Sequence, residues 1–168
     1  MPRRSDSRDR MLRSAAELLR TQGYAATGWR QVVAESGAPW GSQAHHFPGG
    51  KEQLAVEAIG LAAAALERGI RAAFAGRHPA EAVERWAHAA ADELSASGWA
   101  QGCPVATVTL ETAHTSEALA AAGAAALARW HAVVAEALTD AGVPAAEAGS
   151  LATLVVAGVE GGLLMARA

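Results

Sequence analysis

The sequence predicts an all-α protein in two parts: three short helices, then a long fourth helix that leads into a larger helical body. Three observations predict it. The chain is rich in Ala and Leu with few β-branched runs, a composition that favours helix nearly throughout. Apolar residues recur at spacings of three and four along most of its length. Its prolines fall at the start or between the periodic stretches, where helices begin and end.

With 168 residues, the chain can form one large or two small domains with a real core. Apolar residues make up 51%, much of it alanine, and five Trp supply most of the aromatic bulk. The single cysteine, Cys103, excludes an internal disulfide and a cysteine-rich zinc site. No apolar run is expected to reach bilayer-spanning length. The basic start MPRRSDSRDR precedes no apolar segment of the signal-peptide type. The expectation is a cytoplasmic protein with no membrane partner. Charge is uneven. Residues 1–51 hold eight Lys/Arg against four Asp/Glu, a net of +4, and residues 52–168 hold six against thirteen, a net of −7. A polyanion would meet the first third and be repelled by the rest; a solvated basic helix gives the same count.

Taken in order, residues 1–7 read as a flexible arm carrying Arg3 and Arg4. The first helix is expected over about residues 8–22, with Met11, Leu12, Ala15, Leu18 and Leu19 on one face and Gly23 as its left-handed terminator. Thr27 is the expected N-cap of the second helix, which buries Trp29, Val32 and Val33 and turns Arg30 and Gln31 outward. Ser36 and Gly37 break it, and Pro39 pre-sets the third helix, over residues 40–46. Two turns are unstable alone, so Phe47 is the expected anchor. A short amphipathic helix, a glycine turn and a second short helix form the grammar of a helix-turn-helix, whose second helix enters the DNA major groove.

The fourth helix is expected over residues 51–75, about 37 Å at 1.5 Å per residue. Its apolar positions are Leu54, Ile59, Leu61, Leu66, Ile70 and Phe74. A fifth runs from Pro79 to about residue 96, with Val83, Trp86, Ala87, Ala90 and Leu94 on one face. After a loop through Trp99 and Cys103, the segment PVATVTLETA leans to strand by propensity. It has no second strand to pair with, so a short helix is expected. A seventh helix follows over residues 116–141. An eighth begins at Pro144 and is apolar over a wide arc, which calls for burial against a second copy. No stop residue precedes Ala168, which leaves room for a further helix.

The segments GYAATGWRQVVAESGA and HHFPGGKEQL, with the helix before them, resemble the TetR family of transcriptional repressors. The long turn FPGGK and the stretch GCPVATVTLE are similar to the LmrA/YxaF-like branch of that family. The resemblance implies a DNA-binding domain over residues 1–51 and a ligand-binding and dimerisation domain over residues 52–168. It implies a homodimer on a palindromic double-stranded operator, released when a small-molecule effector moves the fourth helix. The chain departs from the pattern at Gln43 and Ala44, where members commonly carry Leu-Tyr and the tyrosine contacts phosphate. A protein that binds ligand or partner with a weakened head is the alternative.

At the front of the third helix, Trp40, Gly41, Ser42 and His46 are the base-edge candidates; Ser can bond several edges and Trp can meet a thymine methyl. Thr27, His45 and Lys51 are phosphate candidates, two of them at helix N-termini. Trp86, Trp99, Cys103, Thr107, Glu111, His114 and Trp130 lie on helices that the resemblance places around the effector pocket, which suits an apolar or aromatic ligand. Adjacent His45 and His46 point about 100° apart and chelate poorly, so no metal is expected. Cys103 has no cation nearby in sequence and reads as packing. Asp92, Glu93 and Glu111 lack the nucleophile, metal spacing or glycine loop of an active site, so no catalytic residue and no cofactor are assigned.

Overall fold

The computed structural model describes residues 4–168, with side chains from residue 6 onward. Its helices are α1 (Arg4–Ala26), α2 (Trp29–Ser36), α3 (Ser42–His46), α4 (Gly50–Phe74), α5 (Pro79–Ala96), α6 (Pro104–Thr112), α7 (Glu117–Asp140) and α8 (Ala145–Arg167), and the described residues contain no strand. The segment PVATVTLETA is therefore helical despite its strand propensity, with Val105 and Val108 both fully buried three residues apart. Tertiary burial at helical spacing outweighs a propensity that spans only about 1 kcal/mol. The chain folds as two compact units. One gathers residues up to Ala63 together with Pro104–Gly123, the other Ala64–Cys103 together with Ala124–Ala168.

In the first unit, α1 sets Met11, Leu12, Ala15, Leu18 and Leu19 inward, with Met11 fully buried and Leu19 1% exposed. The same unit also buries Val32, Phe47, Leu54, Ala58, Ile59, Val105, Val108 and Leu119. The segment that carries α6 lies far along the chain, yet α6 packs on α1.

Several boundaries differ from the sequence reading. Helix begins at Arg4, so the expected arm is helical from that point, where Asp6 pairs with Arg10 one turn on; Arg3 lies outside the described residues. The N-cap of α2 is Gly28, not Thr27. The Thr27 hydroxyl instead donates to the Gly23 carbonyl at 2.6 Å, inside the core. Ser36 does not break α2 but closes its last turn, bonding back to the Val33 carbonyl, while Gly37 (φ 61°) terminates the helix. The third helix is shorter than expected. Pro39 belongs to the preceding turn, and Gly41 at φ 97° starts a helix of five residues. Leu61 and Ala87, expected inside, are exposed, whereas Ala82 is fully buried.

In the second unit, α5 turns Ala82, Trp86 and Leu94 inward and packs on α8, whose inward stripe is Ala148, Ala152 and Val156. Trp130 of α7 is fully buried, with Val134 and Leu138 one and two turns on. Contrary to the sequence reading, α7 and α8 are each long and apolar enough to cross a membrane by length and composition. Alanine accounts for the discrepancy, because it raises mean hydropathy without looking like a greasy run. Leu151, Leu154, Leu164 and Met165 of α8 are exposed, Met165 at 80%.

Candidate nucleic-acid interface

The geometry of the head starts at the end of α1. Gly23 has φ 78° and ψ −173°, a conformation in which a side chain is strained. It kinks α1 there, so that Tyr24, Ala25 and Ala26 continue the helix in a new direction. Thr27 is 3% exposed, and its oxygen, besides donating to Gly23, lies 3.5 Å from the Gln22 amide. The N-terminus of α2 beside it is uncapped, because Gly28 gives no side-chain bond to the first N–H groups. Arg30 is exposed in that first turn.

From α2 the chain passes Gly37 and Pro39 to Trp40, which is 66% exposed. The Ser42 hydroxyl donates to the Pro39 carbonyl at 2.7 Å, which commits its proton to the turn and leaves its lone pairs outward. The Gln43 side chain folds back to accept from the Gly41 N–H at 2.7 Å. An amide at a position where an apolar residue is usual thus works as a local cap. Ala44 and His45 are exposed and His46 is half-buried. Beneath them Phe47, 1% exposed, meets Trp29 at 5.9 Å between ring centroids, and the Arg8 guanidinium sits 5.2 Å from its ring. Arg10 closes the other end of α2, donating to the Ser36 carbonyl at 2.8 Å, where a cation suits the helix C-terminus. Trp40, Gly41, Ser42 and His45 thus share one turn and helix; Thr27 is set back in the core.

Lys51 occupies the corner between α1 and α4. Its ammonium donates to the Ala25 carbonyl at 3.2 Å and lies 4.3 Å from the centre of the Tyr24 ring. Burial lowers its pKa, while the Glu111 charge works in the opposite direction. Burial likewise raises the Tyr24 hydroxyl, with Glu52 adding to it. The Ala25 N–H donates to the Glu111 carboxylate at 2.9 Å. The carboxylate lies where a Cβ on Gly23 would be. A cation at the start of a helix is thus explained here by a carbonyl, a ring and a nearby carboxylate.

The seven residues that the resemblance placed around a pocket fall in both units. Thr107, Glu111 and His114 belong to the first, and Glu111 is committed to α1. Trp86, Trp99, Cys103 and Trp130 belong to the second. There Trp86 and Trp130 are buried core, and Trp99 is 54% exposed with a left-handed φ of 66°. An open groove along α5 is lined by Arg77, Glu81, Glu84, Arg85, His88 and Asp92. It is charged and contains none of the seven. Sequence reasoning passed over Glu160 of α8, a carboxylate four residues beyond Val156 on the inward stripe. Burial raises its pKa from 4.5, with the Cys103 thiol opposing the shift.

That shift has a sign. Below the ordinary carboxylate range Glu160 is protonated in both folded and unfolded chains. As pH rises through 4.5, the unfolded chain ionises first, so the native state loses relative stability until the folded group ionises too. Glu160→Gln is expected to raise the melting temperature more near pH ~7 than near pH ~4. Melting curves at the two pH values check it; an equal shift at both would contradict the burial of an ionisable group.

The chain's likenesses agree with this architecture. Residues 11–58 match the bacterial regulatory proteins of the tetR family. Residues 79–168 match the C-terminal domain of LmrA/YxaF-like transcriptional regulators. The chain is 37% identical over 166 residues to the uncharacterized HTH-type transcriptional regulator YxaF of Bacillus subtilis, across 98% of this chain and 87% of that one. It is 37% identical over 161 residues to the HTH-type transcriptional regulator LmrA of the same species, across 95% and 86%. The fold is that of the regulatory protein TetR from Rhodobacter sphaeroides, at a TM-score of 0.84 and 22% identity over 95% of this chain and 87% of that one. It is also that of a TetR transcriptional regulator from Chloroflexus aurantiacus, at 0.81 and 25% over 99% and 87%. These relatives are transcriptional regulators and not enzymes. On the match of both halves and of the whole, the chain belongs to the TetR family of helix-turn-helix transcriptional regulators, in its LmrA/YxaF-like branch.

Proposed function

We propose that the protein is a cytoplasmic repressor that binds a palindromic operator as a homodimer and is released by a small, apolar or aromatic effector. Residues 1–51 form the DNA-binding domain and residues 52–168 the effector and dimerisation domain. The observation that carries the DNA reading is the front of the head. An indole 66% exposed stands beside Ser42 and His45, flanked by an uncapped helix N-terminus with Arg30 on its first turn. An exposed indole at the front of a helix-turn-helix can reach a thymine methyl in the major groove. Trp40, Gly41, Ser42 and His46 face base edges in this reading. His45, Lys51 and the N-terminus of α2, with Thr27 behind it, hold phosphates. The exposed Leu151, Leu154, Leu164 and Met165 of α8 support burial against a second copy.

Operator selection from random duplexes, followed by anisotropy titration, tests the reading. Binding is expected to prefer a palindrome and to weaken steeply with salt. Trp40→Ala is expected to lower preference for the selected site by about 1–3 kcal/mol while leaving non-specific binding in place. Absence of any sequence preference at ~100 mM salt would sink the proposal. The second reading, a head weakened for DNA, draws on Ala44, whose methyl group is exposed on α3 and cannot bond phosphate. If it holds, Ala44→Tyr raises affinity for all duplexes alike.

A further inference from the structure

The inward stripe of α8 runs Ala148, Ala152 and Val156, each four residues from the last and each buried. The next residue on that stripe is Glu160. Both of its carboxylate oxygens are out of contact with solvent, and no N–H or O–H donor among the described residues bonds them; the one group that bonds toward them is the Cys103 thiol, a weak donor. A carboxylate in that position is destabilising unless something neutralises or bonds it. The nearest candidate on the same helix does not do so. Arg167, seven residues on and therefore on the same face, turns its guanidinium to the Ala100 carbonyl at 3.2 Å. It lies across Gly102, where a side chain on that residue would block it. The loop it holds carries Trp99 in a left-handed conformation, strain of the kind found at binding sites. Cys103 ends the loop, and its thiol is the group that favours ionised Glu160.

We propose that Glu160 anchors the effector, and that the effector is an apolar amine carrying a positive charge at neutral pH. This rests on the effector reading above and specifies its ligand class. Only a cation restores to the carboxylate both the charge balance and the donor that burial removes. The buried positions of α5 and α8, the two helices that pack together in this unit, are Ala82, Trp86, Leu94, Ala148, Ala152 and Val156, and such faces suit an apolar body. The net charge of −7 over residues 52–168 draws cations toward this part of the chain and repels anions.

The test uses the whole protein and three probes of one shape and different charge: phenylbutylamine, phenylbutanol and phenylbutyrate, titrated calorimetrically. The amine is expected to bind about tenfold or more tighter than the alcohol, and the carboxylate more weakly than either. Glu160→Gln is expected to abolish the preference for the amine and to leave the alcohol within about twofold. Glu160→Asp keeps the charge and is expected to keep the preference, so the series still decides if the Gln variant folds poorly. An alcohol that binds as tightly as the amine to the unaltered protein overturns the amine class but leaves an effector site. A preference that survives Glu160→Gln overturns Glu160 as the anchor. Binding by none of the probes overturns the site itself; the effector reading is judged separately, by whether any small molecule releases the selected operator.

Discussion

Phe47→Ala is expected to remove about 3–5 kcal/mol of stability and, with it, sequence-specific DNA binding. The stability loss follows from burial. Phe47 is 1% exposed and is enclosed by Trp29, Arg8 and its neighbour His46. The functional loss follows from helix length. α3 has five residues, far below the roughly 12–15 at which a helix holds itself in water. None of its own residues is buried, so the ring at its C-cap is what seats it. Phe47→Leu preserves an apolar plug and is expected to cost about 1 kcal/mol with DNA binding largely intact. Denaturant titration and anisotropy on the selected operator measure the two effects. A Phe47→Ala protein that loses stability yet keeps full operator preference would show that α3 is held by something else.

Gly23→Ala is expected to cost about 2–4 kcal/mol, from two sources. Holding an alanine at φ 78°, ψ −173° accounts for roughly 1–3 kcal/mol. The new methyl also occupies the place of the Glu111 carboxylate and so displaces the bond to the Ala25 N–H. That bond is at the exposed end of a flexible side chain and contributes the smaller share, about 1 kcal/mol or less. The backbone therefore dominates, and a double-mutant cycle separates the two. Glu111→Ala alone is expected to be mild, and combining it with Gly23→Ala is expected to recover only that smaller share. In melting temperature the glycine substitution corresponds to a fall of about 5–12 °C. Full recovery in the double variant would mean that steric overlap, not φ, is the constraint at Gly23.

Much of the head was legible. The three-and-four spacing in α1, Val32 and Val33 of the α2 face and the anchoring Phe47 are each local signals, and each lies where the pattern placed it; Gly23 instead kinks α1, which runs on to Ala26, and Trp29 is only half-buried. The N-cap was not legible. Thr27 has the right residue type one position before the glycine that caps α2, but its hydroxyl answers a carbonyl exposed by the unusual ψ of Gly23. Propensity cannot see that carbonyl. Lys51 is similar. A lysine at a helix start reads as an anion ligand; the carbonyl and the ring from the end of α1 that it also meets cannot be seen from its neighbours in sequence.

The sequence by itself determined the helical class, the order and approximate bounds of the helices, the helix-turn-helix and the family resemblance. These depend on periodicity and punctuation, which act within a few residues. Only the three-dimensional packing brings α6 onto α1, lets Glu111 bond a backbone amide eighty-six residues away, and buries the Glu160 carboxylate with no donor stronger than the Cys103 thiol. Those facts depend on which distant faces meet and which polar atoms lose water when they do. A spacing rule carries no information about either.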